Sequence, residues 1–219
     1  RTASWWGSPG WADGGGTCGP TPANNIPRMP PDAIVLRPAR REDAAAIALL
    51  TDLASDGLAP HFWARIAEPG QTALAVGTER AARDEGSFSW RGAVIAEVDG
   101  SVAGGMICYP VGLEAVPLDD LPGVARPLQA LENQALGCLY VNVLASFADF
   151  RRLGVARRLL AHAAERAGPA GTSLIVADSN EPALALYRRA GFVERAREPM
   201  VKEDWPGSGT QWVLMVKPK

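Results

Sequence analysis

The sequence predicts a single α/β domain, and three observations carry that prediction. The stretch from Cys138 to Ala167 joins an apolar, strand-like run to a short polar connection and then to an amphipathic helix. A second stretch, Thr172 to Phe192, repeats the order of apolar strand, polar turn and short helix before a Gly-Phe pair. Ahead of both, the run from Ala33 to Pro38 leads into a helical stripe that Gly57 stops, so strands and helices alternate along most of the chain.

Residues 1–31 are poor in aliphatic residues and rich in Gly and Pro, with Trp5, Trp6 and Trp11 scattered among them. They lack the material for a core, which predicts a flexible N-terminal extension ahead of a domain spanning 32–219. Ala33–Pro38 reads as a strand. The following helix shows Ile47, Leu50 and Ala54 on one stripe, with Glu42 and Asp43 at its positive end. A second helix is predicted near Pro60 to Ala67, carrying His61, Phe62, Trp63 and Ile66 and ended by Pro69-Gly70. A third covers Gln71 to about Glu85, weakened by Gly77.

Strands resume at Phe88 to Val98 and Val102 to Tyr109, and Asp99-Gly100 between them fits the two-residue primed turn of a hairpin. Gly104-Gly105 suggests a bulge or a close approach of backbone. Pro110 to Gly137 is too long for a hairpin connection and contains a helix from Pro127 to Ala135. Its acids, Glu114, Asp119 and Asp120, read either as a solvated face or as a lure for a cationic amine. The chain closes with strands at Phe192 to Arg197 and Gln211 to Lys217, separated by a loop holding Trp205.

The connection inside the first stretch is an anion cradle. The leading N–H groups of a helix have no acceptor in the helix, and its dipole places partial positive charge there. Gly154 lets the main chain approach an anion, Ala156 is the next smallest choice, and Arg151 and Arg152 add full charges. Beyond this entry, Val155, Leu159, Leu160 and Ala163 recur at helical spacing, which packs the helix on a sheet. In the second stretch Asn180 suits an N-cap, Pro182 the first turn and Gly191 the position after the helix.

Taken together, Arg151, Gly154 and Ala156, followed at the right distance by Asn180, Tyr187, Gly191 and Phe192, resemble the two conserved blocks of the GCN5-related N-acetyltransferase superfamily. The resemblance runs from about Ile34 to Lys217. It implies a mixed, mostly antiparallel sheet of about seven strands, flanked by helices and splayed at its centre. It also implies transfer of an acetyl group from acetyl-CoA to an amine by direct attack in a ternary complex, with no metal. On that basis Leu144 and Ser146 are the main-chain positions facing the pantetheine arm and the acetyl carbonyl. The cradle is Arg151, Arg152, Leu153, Gly154, Val155 and Ala156, and Asn180 and Tyr187 complete the donor site. Ser146 and Ala148 depart from the usual aliphatic residue and Pro, which touches geometry more than chemistry because the contacts are backbone ones. A homodimer is a further implication, and an acyl-CoA-binding sensor without turnover is the alternative the same fold allows.

Amine acetylation poses two proton problems. A primary amine with a pKa of about 10.4 is almost fully protonated at neutral pH, so freeing its lone pair costs roughly 4–5 kcal/mol. Glu132 is the candidate base, with Tyr140 and Asn142 as candidate water-holders. The departing thiolate, of pKa about 8.5, is already a fair leaving group, so Tyr187 reads best as a hydrogen-bond donor to it.

The balance of 22 basic and 24 acidic residues leaves a formal charge of −2, with no footprint for nucleic acid. The cysteines, Cys18, Cys108 and Cys138, are odd in number and lack metal-ligand spacing, as do His61 and His162. They read as reduced thiols of a cytoplasmic protein, and no run reaches membrane-spanning length. The apolar, aromatic acceptor-side segments favour a small-molecule amine over a protein.

Overall fold

The computed structural model describes residues 33–219. The readings of the N-terminal extension, of its tryptophans and of Cys18 lie outside the described residues. A sheet of seven strands runs through the domain in the order β1-β2-β3-β4-β5-β7-β6. These are β1 (Ile34–Pro38), β2 (Ala93–Val98), β3 (Ser101–Pro110), β4 (Leu139–Ser146), β5 (Thr172–Ala177), β6 (Val193–Pro199) and β7 (Gln211–Lys217). Every neighbouring pair is antiparallel except β4 and β5.

Helices cover both faces. Against one pack α5 (Val155–Arg166) and α6 (Glu181–Arg189), through Val155, Leu159, Leu160, Ala163, Leu184 and Tyr187. The stripe read from the sequence is thus the one buried. On the other side lie α1 (Ala44–Ser55), α2 (Leu58–Arg65), α3 (Ala73–Ala81) and α4 (Arg126–Glu132). Ile47 of α1 meets Ile95, Ile107 and Val143 of the sheet, whereas Leu131 of α4 packs with Trp205, Trp212 and Leu214.

The hairpin turn has the primed form: Asp99 and Gly100 both sit at positive φ, 50° and 75°. Two local readings are corrected. Strand β2 begins at Ala93, not Phe88, because Trp90–Gly92 form a 3₁₀ turn whose entry Ser89 caps, its hydroxyl accepting from Arg91 N–H at 3.2 Å. The β3 bulge lies at Ala103, between the partners of Ala96 and Glu97, one residue before the glycine pair. Gly104 meets the close-approach reading: a Cβ there would stand 2.5 Å from the Ala145 carbonyl and 2.9 Å from Val155. Gly77 belongs in its helix because a Cβ would run into the Trp63 indole at 2.5 Å.

One interaction had no sequence signal. Arg37 of β1 donates to both carboxylate oxygens of Asp43, at 2.7 and 2.9 Å, and to Glu97 of β2 at 2.7 Å. Asp43 also accepts from the Arg40 N–H, tying the entry of α1 to the sheet edge.

Candidate active site

The site originates in a defect in sheet pairing. The parallel register between β4 and β5 holds only for Leu139, Tyr140 and Val141, opposite Thr172, Ser173 and Leu174. From Asn142 to Ser146 the β5-facing edge of β4 has no strand partner, although β4 stays paired with β3 as far as Ser146. Asn142 is itself a bulge residue: Val141 and Val143 pair with the adjacent Cys108 and Ile107 and leave Asn142 without an opposite number. The extra residue sends Val141 and Val143 into separate cores on opposite faces of the sheet. Main-chain donors and acceptors therefore stand open where the strands part.

A cleft of about 400 Å³ fills the gap, and Leu144, Ser146, Arg151, Asn180 and Tyr187 all line it. Beyond Ser146 and Pro182, which it shares with this cleft, a second concavity of about 370 Å³ is walled by Arg152, Leu153, Gly154, Val155 and Ala156. The residues named from the sequence as the donor site thus occupy one connected surface. Gly154 stands at φ 101°, where a side chain is strained, and caps α5. The first helical bond runs from Arg158 N–H to the Gly154 carbonyl, so the N–H groups of Val155, Ala156 and Arg157 face outward without a helix acceptor. Among the described residues, Arg151, Arg152, Arg157 and Arg189 form no ion pair. Such a cradle fits a diphosphate.

Asn180 caps α6, its side chain accepting from Ala183 N–H at 3.2 Å, and Gly191 follows the helix at φ 91°. Tyr187 projects from α6 with its ring 6.0 Å from that of Phe192. Burial pushes its phenol up to about 12, which keeps the hydroxyl a donor at any working pH. At its other rim the cleft meets Asp56, whose carboxylate accepts from Ser208 of the β6–β7 loop. Nothing local in the sequence announces this strap, because the two residues are 152 positions apart.

A third cavity, about 460 Å³, opens on the other side of Asn142. It shares Ala54, Ser55 and Asn142 with the donor cleft, and Phe62, Trp63, Ile66 and Phe88 form its walls. Of the aromatic segment read from the sequence as acceptor-side, Phe62, Trp63 and Ile66 line this cavity, whereas His61 does not and points to Asp204 at 3.2 Å. His162 is half-buried on α5, its pKa lowered by burial and then by Arg166. Glu132 lines neither this cavity nor the donor cleft. Its carboxylate accepts from the Tyr109 hydroxyl at 3.0 Å, and burial raises its pKa. Tyr140 is buried beside it, with its phenol raised by burial first and then by the charges of Glu132 and Tyr187. The acids Glu114, Asp119 and Asp120 line neither cavity.

The splayed sheet and the glycine-capped cradle agree with the resemblance drawn from the sequence. Residues 58–192 match the model of the acetyltransferase (GNAT) family, and the chain belongs to that family. The fold is similar to that of an N-acetyltransferase from Staphylococcus aureus, with a TM-score of 0.57 and 22% identity over 83% of this chain and 99% of that one. It is equally similar to a protein described as a histone acetyltransferase HPA2 and related acetyltransferase from Corynebacterium glutamicum, with a TM-score of 0.57 and 19% identity over 85% and 97% of the two chains. No curated protein matches the chain. Among the described residues no helix is long and apolar enough to cross a membrane, and no group of three or more His, Cys, Asp or Glu residues is placed to hold a metal ion.

Proposed function

We propose that the protein transfers an acetyl group from acetyl-CoA to the amine of a small molecule by direct attack, with both substrates bound together. The observation that carries this reading is the meeting of two cavities at Asn142, one ending in the Gly154 cradle and the other walled by aromatic residues. Acetyl-CoA supplies an activated acyl group on a thiol leaving group. The chain's own residues supply position and charge. The N–H groups after Gly154, with Arg151 and Arg152, hold the diphosphate, and the open edge of β4 at Leu144 and Ser146 takes the place of a strand partner for the pantetheine arm. A backbone N–H on that edge also faces the acyl oxygen as negative charge develops there. Tyr187 donates a hydrogen bond to the departing sulfur, and Asn142 orients the amine. Glu132 lines neither cavity, so in this reading it takes the amine's proton by relay rather than by contact. Its pKa is raised, which brings its basicity closer to the operating pH.

Calorimetric titration with acetyl-CoA, run on the parent and on Gly154→Val, tests the donor half. Binding by the parent, weakened at least about tenfold in the variant, supports the cradle. A parent that binds no acetyl-CoA overturns the reading. Release of CoA thiol in the presence of amines then separates an enzyme from a binding module.

A further inference from the structure

We infer that the acceptor is an amine joined to an apolar, ring-sized body and to a carboxylate, and that Arg80 receives the carboxylate. The inference rests on the acetyl-transfer reading and deepens it.

The wall of the acceptor cavity decides the matter by what its polar groups have left to give. Apart from the indole of Trp63, the wall's polar groups come from Thr51, Ser55, Arg80 and Asn142. Thr51 spends its hydroxyl on the Ile47 carbonyl at 2.8 Å. Ser55 donates to the Asp52 carbonyl and accepts from Ala59 N–H. Two groups stay uncommitted among the described residues: the Asn142 amide, at the junction with the donor cleft, and the Arg80 guanidinium, half-buried in the last turn of α3. No Asp or Glu lines the cavity.

Each uncommitted group selects for something. Asn142 marks the end at which the amine must lie, because the cavities meet there, beside Ala54 and Ser55. A half-buried cation with no counter-ion among the described residues favours an anionic ligand and repels a second ammonium, and its planar fork matches a carboxylate. Between them, Phe62, Trp63, Ile66 and Phe88 offer apolar and aromatic surface suited to a ring or a branched chain. Polyamines find no partner here for their extra charges.

Steady-state acetylation distinguishes these cases. Phenylalanine and 4-(aminomethyl)benzoate place the carboxylate near to and far from the amine; phenethylamine and benzylamine are their carboxylate-free counterparts, and spermidine is the polycation. For at least one acid, kcat/KM should exceed that of its counterpart by about tenfold or more, the gap expected of a charge-assisted pair. Arg80→Gln should close that gap through KM, with little change for the carboxylate-free amines, and Arg80→Lys should restore part of it. Equal rates for acids and counterparts, a preference for spermidine, or an equal loss for all amines in Arg80→Gln would overturn the inference. Acetyl-CoA titration of the same preparations locates the failure. Donor binding without any preference for the acids sinks this inference alone, whereas loss of donor binding in the parent sinks the acetyl-transfer reading with it.

Discussion

Asp56 holds Ser208 by two hydrogen bonds, from its backbone N–H at 2.8 Å and from its hydroxyl at 2.7 Å, across the rim of the donor cleft. Asp56 is the left-handed residue that ends α1, at φ 50°, and its carbonyl also accepts from the Trp205 indole at 3.1 Å. The β6–β7 loop is thereby pinned to the turn between α1 and α2. Both partners are exposed, so water competes for these bonds. A double-mutant cycle with Asp56→Ala and Ser208→Ala, read by urea unfolding, should give a coupling of about 1 kcal/mol. The KM for acetyl-CoA should rise in each single variant, and additivity of the two changes would show that the hydroxyl bond of the strap contributes nothing.

Tyr187→Phe should lower kcat by about tenfold or more while leaving acetyl-CoA affinity within about twofold, because the lost bond forms chiefly as the sulfur departs. Since the phenol is pushed up to about 12, the parent's rate should show no basic limb from this residue across ordinary assay pH. Unchanged kcat in the variant would return Tyr187 to the role of a packed aromatic.

Glu132→Gln reads the proposed proton relay. A base works only above its own pKa, and burial holds that of Glu132 above the usual carboxylate range. In the parent kcat should therefore fall as pH drops through this raised value. The variant should lose that limb and about tenfold or more of the plateau rate. Superimposable pH profiles would remove Glu132 from the mechanism.

Gly77→Ala pits two effects of opposite sign. Alanine in place of glycine favours a helix by about 1 kcal/mol. The new methyl, however, meets a Trp63 ring that is 5% exposed and lies 5.7 Å from the Phe88 ring, so the indole has little room to yield. Overpacking of this kind costs about 1–3 kcal/mol, and the expected net change is a loss of stability. A higher melting temperature would mean that the indole repacks freely.

Asp43 ties acid stability to the sheet edge. Hydrogen bonds from Arg37, its largest influence, depress its pKa in the folded state. The stabilisation is therefore present above the unfolded value of about 3.9 and is lost as pH falls through the lower folded value. Asp43→Asn should cost about 1.5 kcal/mol near neutrality, because it removes one of the two carboxylates that Arg37 holds and leaves Glu97 as the other, and the gap should narrow in acid. A gap that stays constant down to low pH would contradict the assignment.

Much of the architecture is legible because it is local. The 3.6-residue stripe of α5, the Asp99-Gly100 turn, the Asn180 cap and the Gly191 terminator each announce themselves within a few residues. The cradle is legible for the same reason. Features that depend on pairing between distant segments are silent: nothing near Asn142 marks it as a bulge, since that status is set by Ile107 and Cys108 on another strand. The Arg37, Asp43 and Glu97 network and the Asp56–Ser208 strap are likewise invisible without the fold. Gly77 shows a converse case, for the sequence reads as weakness what its contact with Trp63 requires. In the cavity proposed for the acceptor, the aromatic wall is legible as a cluster, but Arg80 resembles any cation at a helix end.

The three-residue register of β4 with β5 has a thermodynamic consequence. A sheet whose central seam is unfinished gives up cohesion there, and a ligand that completes the seam restores it. At a hundredfold excess over its Kd such a ligand adds about 2.7 kcal/mol to the folded state. Resistance to proteolysis and heat would then rise and fall with the supply of that ligand. The lifetime of the chain becomes a gauge of how well it is fed.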